Sequence, residues 1–112
     1  MEEIRTLRPN EIHVGDVVWA FGYRPAKKGR AMALKQPPVR GLIIEKEDGY
    51  RKLRYFVPYN EKGNLLNSKA VLVESRTYTC SEEDAKILYN RRVQSYVDQI
   101  QKQLDTAKSD FV

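Results

Sequence analysis

His13 and Cys80 are the one histidine and the one cysteine of this 112-residue chain. A structural zinc ion needs four converging nitrogen or sulfur ligands, and a catalytic one at least three, so no transition-metal site is expected. A thiolate–imidazole nucleophile would need the two side by side in the fold. Cys80 lies in "TYTCSEED", at the start of a predicted helix whose dipole can lower a thiol pKa. The simpler expectation for that junction is a small buried residue. Asp16 follows Gly15 and is expected to accept backbone hydrogen bonds in a turn. Glu82, Glu83 and Asp84 could hold a cation, but acids in the first turn of a helix also offset its dipole. No phosphate loop, dinucleotide fingerprint or serine elbow is present. No catalytic residue, metal or cofactor is therefore assigned.

Charge gives a sharper signal than nucleophiles do. The chain carries a net charge of +5, yet residues 21–44 alone hold six bases, Arg24, Lys27, Lys28, Arg30, Lys35 and Arg40, and no acid. The excess therefore sits on one segment between two predicted strands. Lys and Arg on an extended hairpin can follow a nucleic-acid backbone, DNA or RNA, and released counterions supply the affinity. Tyr23 beside Arg24 adds a stacking surface. The candidate nucleic-acid contacts are thus Tyr23, Arg24, Lys27, Lys28, Arg30, Lys35 and Arg40. The same charges could instead keep an exposed strand edge from pairing, or steer the domain to an acidic protein surface. For a protein partner, Tyr55 and Tyr59 alternate on a predicted strand and could join Tyr23 in an exposed aromatic row.

These residues need elements to position them. Val14 to Phe21 predicts a strand, with Val17, Trp19, Phe21 and Tyr23 on one face and Val14, Val18 and Ala20 on the other. Apolar residues on both faces imply burial on both. From Trp19 the chain is expected to run out as a β-arm, turn at "RPAKKG" and return over Arg30 to Lys35. Pro37-Pro38 should stop that strand. A second core strand spans Val39 to Glu45, Asp48-Gly49 signals a hairpin, and Lys52 to Tyr59 returns antiparallel. "NEKGN" turns again, and Lys69 to Thr79 reads as one more strand. At Ser81 the period changes. Ser81 fits an N-cap with Asp84 three residues on, and Ala85, Leu88, Tyr89, Val93, Tyr96, Val97, Ile100 and Leu104 recur at helical spacing. Arg92 lies near the edge of that stripe, placed to pair with a carboxylate or line a groove.

The expected fold is α+β: a small antiparallel SH3-like β-barrel over about residues 12–80, with a basic β-arm and one long C-terminal amphipathic helix over about 82–106. A single domain spanning 1–112 suits this length. No apolar run approaches the roughly 20 residues of a membrane span, the first residues are polar, and one cysteine agrees with a reducing compartment. A cytoplasmic monomer or homodimer is expected.

"GDVVWAF" (Gly15–Phe21), "RGLII" (Arg40–Ile44) and "VPYN" (Val57–Asn60) resemble the strands of the PemK/MazF-type endoribonuclease toxins, which are SH3-like barrels. The resemblance implies metal-free RNA cleavage by an Arg just before the second strand and a Thr or Ser after the third. Here Val39-Arg40 replaces the Arg-Pro pair, so Arg40 comes one position late, and Asn60 stands near the hydroxyl position. A displaced ribonuclease site around Arg40 is what that likeness leaves. The Trp-containing first strand, the Lys-Gln-x-Pro approach to the second strand and "SRTYTCSEEDAKILYN" (Ser75–Asn90) resemble uncharacterised small proteins of bacterial and phage genomes. That likeness implies a mobile-element origin and carries no known activity, which leaves open a role as an inhibitor or adaptor that binds a protein.

Overall fold

Strand-forming residues fill the first two-thirds of the chain and helix formers the last third, and the structure follows that division. The computed structural model describes residues 4–25 and 33–109, with side chains as far as residue 103. Five strands, β1 (Val17–Arg24), β2 (Leu34–Asp48), β3 (Arg51–Pro58), β4 (Val71–Leu72) and β5 (Thr77–Thr79), precede one helix, α1 (Glu82–Ser109). The strands form one antiparallel sheet in the order β4-β3-β2-β1-β5. The expected α+β class and the long C-terminal helix are both present. No helix among the described residues is long and apolar enough to cross a membrane.

The sheet is not closed into a barrel. β4 and β5 lie at opposite edges and share no ladder. They are nevertheless consecutive in the chain, joined by a 3-10 turn at Val73–Ser75. So short a link cannot cross a flat five-stranded sheet, whose neighbouring strands lie about 4.8 Å apart, so the sheet must coil. The apolar run from Lys69 to Thr79 is therefore not one strand but two edge strands around a turn. Val73 leaves the ladder there to bury its side chain, and Ser75 Oγ donates to Leu72 O at 2.6 Å.

β2 also departs from expectation. It continues unbroken through Pro37-Pro38, where the sequence predicts a stop. Ala20 pairs with Val39 but Gly22 with Gln36, so the two prolines stand opposite the single residue Phe21. This is a β-bulge, which leaves one residue of the longer strand outside the ladder and so tolerates a missing N–H. Beyond the bulge β1 and β2 stay paired through Tyr23–Lys35 and Arg24–Leu34. The base of the expected arm thus exists, as a direct extension of the core strands. Its tip, with Lys27, Lys28 and Arg30, lies outside the described residues.

The two faces of the sheet are buried in different ways. One carries the core cluster of Ile12, Val18, Ala20, Ile43, Phe56, Val73 and Tyr78. Phe56 and Tyr78 meet at 5.5 Å between ring centroids. Gly41 makes that packing possible: a Cβ there would fall 2.5 Å from both Phe56 Cε2 and Val57 O. The opposite face presents Phe21 and Tyr23 to α1, which packs against β1, β2 and β5. Asp84 N donates to Ser81 Oγ at 3.2 Å, so Ser81 caps α1 as its sequence suggests. Ala85 is fully buried, whereas Val97 and Ile100 are exposed. The apolar stripe is therefore used against the sheet only as far as Tyr96. The β2–β3 turn is one residue later than expected: Asp48 pairs with Arg51 and Gly49-Tyr50 form the loop, with Gly49 at φ +64°.

Two outcomes follow from this packing. Gly41→Ala should cost about 1–3 kcal/mol, because Val57 O is backbone and cannot yield; a lower urea midpoint at unchanged m-value would show it. Burial holds the Tyr78 phenol above the ordinary tyrosine range, against the opposing charge of Arg76. Above about pH 10 the unfolded chain releases this proton while the folded chain keeps it, so stability falls as pH rises. Tyr78→Phe keeps the ring contact and removes that effect. Its urea midpoint should drop less than that of the parent between about pH 8 and pH 11.

Candidate nucleic-acid interface

The foot of the arm gathers charge from three separate parts of the chain. Arg24 ends β1, Arg76 precedes β5 and Arg92 lies on α1. All three line one shallow groove of about 190 Å³, together with Gly22, Tyr23, Leu34 and Thr77; Glu74 is its one acid among the described residues. Gly22 helps to set this arrangement. A Cβ there would meet Leu34 Cδ2 at 2.8 Å and Arg76 Cδ at 3.2 Å, so the missing side chain lets both lie against β1. Arg24, Arg92 and Tyr23 continue into a second shallow groove with Ser95, Tyr96 and Gln99 of the helix.

Neutral groups hold two of these guanidinium groups. Arg92 Nη2 donates to Thr77 Oγ1 at 2.9 Å, and its Cζ stands 4.8 Å from the centroid of the Phe21 ring. Arg76 Nη1 donates to Ser75 O at 3.0 Å. Neither Arg76 nor Arg92 forms an ion pair with a carboxylate among the described residues. A guanidinium has five N–H donors, so each keeps several for an outside anion. Both are thus oriented without being neutralised, an arrangement suited to binding phosphate bidentately.

The candidates from sequence divide accordingly. Arg24 is exposed at the groove, and Lys35 is exposed on the partner strand, paired with Tyr23. Lys27, Lys28 and Arg30 lie outside the described residues. Tyr23 is not the free stacking platform that the sequence suggests. Its ring meets Tyr89 edge-on at 5.8 Å and Tyr96 at 6.2 Å, so the helix takes it up. This also breaks the expected aromatic row with Tyr55 and Tyr59. Those two are half-buried on β3 and just beyond it, under Lys46 at 5.8 Å and Arg40 at 4.8 Å respectively. Arg40 is exposed but committed to that ring, and the bulge separates it from Lys35 and the arm.

The residues weighed for chemistry serve structural ends. His13 N donates to Asp16 Oδ2 at 2.8 Å and Asp16 N to His13 O at 3.0 Å, closing the turn before β1. Asn60 Oδ1 accepts from Lys62 N and Asn64 N, both at 2.9 Å. Glu82 pairs with Lys86 at 2.8 Å. Cys80 is exposed, not buried as expected, because it falls after β5 has left the core. No group of His, Cys, Asp or Glu among the described residues could hold a metal ion. Arg76 is the functional candidate that the sequence conceals. Nothing in "VESRTYT" sets it apart from any strand-edge arginine, and its position depends on Gly22, more than fifty residues away.

Arg92→Ala removes a hydrogen bond and a cation–π contact, and uncovers the Phe21 ring. It should cost about 1–2 kcal/mol, while Arg91→Ala should stay within about 0.5 kcal/mol; urea titrations of both variants give the comparison. Compared with protein-family models, with curated proteins and with solved structures, the chain finds no match, so its function is to be read from the geometry of this surface.

Proposed function

We propose that this protein is a non-enzymatic binding module that grips the phosphate backbone of a nucleic acid with its basic β-arm and the arginines at the arm's foot. One observation carries the proposal. Arg24, Arg76 and Arg92, from three separate parts of the chain, line one groove, and the segment that follows Arg24 in sequence adds Lys27, Lys28 and Arg30. Edge protection would account for lysines on the arm, but not for Arg76 and Arg92 arriving there from elsewhere. An acidic protein surface is the competing partner, and salt separates the two. Counterion release makes phosphate binding fall steeply and linearly in log–log form with salt, by about 0.9 per phosphate contacted on a duplex and about 0.7 on a single strand.

Fluorescence anisotropy with labelled single- and double-stranded DNA and RNA, from low to near-physiological salt, tests this directly. Binding should weaken steeply with salt. Arg76→Gln should reduce the slope by about 1, and Lys27→Glu/Lys28→Glu/Arg30→Glu should abolish binding at about 0.15 M salt. Absence of binding at low salt would refute the proposal and direct the search to an acidic protein. RNA should remain intact after incubation with excess protein; cleavage lost in Arg40→Ala would establish a ribonuclease instead.

A further inference from the structure

A second concavity opens on the core face of the sheet, about 160 Å³ in volume, and it shares Arg76 with the arginine groove. Its floor is apolar, from Val39, Phe56 and Val71, and its rim carries Gln36, Lys69 and Arg76. Among the described residues, no acid lines it. It is smaller than the roughly 300–1,000 Å³ of pockets that enclose a whole ligand, and suits one planar ring. Gln36 Nε2 donates to Pro37 O at 3.1 Å, leaving a second N–H and the amide oxygen for a polar edge. Lys69 and Arg76 place positive charge at two points of the rim, where an anionic chain would enter and leave.

We infer that this cleft receives a single unstacked nucleobase, and that the strand so held runs from Lys69 over Arg76 into the arginine groove at the foot of the arm. The inference rests on the phosphate-binding role proposed above and adds a choice of substrate: single strands over duplexes. A duplex keeps its bases stacked and paired, so it can offer the phosphate groove a backbone but has nothing to place in the cleft without extruding a base. A single strand supplies both. The charged rim favours this occupant over an apolar peptide side chain, whose own backbone brings no charge for Lys69 and Arg76.

The test uses the full chain and a labelled single-stranded oligonucleotide of about 12 nucleotides, as DNA and as RNA. The same strand is also prepared as a duplex and with one abasic position moved along it. The expected result is tighter binding of the single strand and a roughly tenfold loss when the abasic position occupies the cleft. Leu66→Trp, which fills the cleft from its wall, should weaken single-strand binding, spare duplex binding and erase the abasic penalty. Equal binding of single strand and duplex, with no abasic position felt by the unaltered protein, would overturn the cleft assignment while leaving the phosphate groove standing. No binding of any oligonucleotide at low salt would overturn both. The abasic scan needs no variant, so a misfolded Leu66→Trp would not blunt the test.

Discussion

The strand pairing of β1 with β2 across the bulge at Phe21 and Pro37-Pro38 is the constraint on which the rest of this structure depends. Proline has no N–H to give a ladder, and two in succession ordinarily end a strand. Here the register shift between Ala20–Val39 and Gly22–Gln36 absorbs them, and pairing resumes. One long strand therefore carries both the core residue Ile43 and the arm residue Lys35. The foot of the arm is thus an extension of the core strands, paired through Tyr23–Lys35 and Arg24–Leu34.

The bulge also lies where the two faces receive different cover. On one side Val18, Ala20, Ile43, Phe56 and Tyr78 pack together, with Gly41 yielding its side-chain space to Phe56. On the other, Phe21 and Tyr23 take the helix, through Arg92, Tyr89 and Tyr96. Gly22 falls between them, and its bare backbone admits Leu34 and Arg76. The positive surface is thus a by-product of good packing. An aromatic ring and a hydroxyl aim Arg92, a carbonyl aims Arg76, and none of these cancels a charge.

Much of the candidate site was legible in local chemistry. The run of six bases without an acid marked the arm, and the alternation of Val17, Trp19, Phe21 and Tyr23 gave a strand buried on both faces. Arg92, at the border of the helical stripe, could be read as pairing with a carboxylate or lining a groove, without a choice between them. What stayed hidden was every feature that needs two distant segments at once. Tyr23 reads as exposed until the helix is laid upon it. Arg76 reads as ordinary until Gly22 is seen beneath it. The apolar run from Lys69 to Thr79 reads as one strand because nothing local reveals that the sheet coils and needs an edge at each end.

The sequence by itself determined the element types, the capped start of the helix at Ser81, the turn built on Asp16 and the segment that bears the charge. Those depend on near-neighbour effects: side-chain period, caps and turn residues act within a few positions. Tertiary structure alone decided that the sheet stays open, that Pro37-Pro38 is passed through as a bulge, and that Arg24, Arg76 and Arg92 share a groove. These depend on register and on which side chain fills the space another leaves, and that is settled only when the whole chain packs.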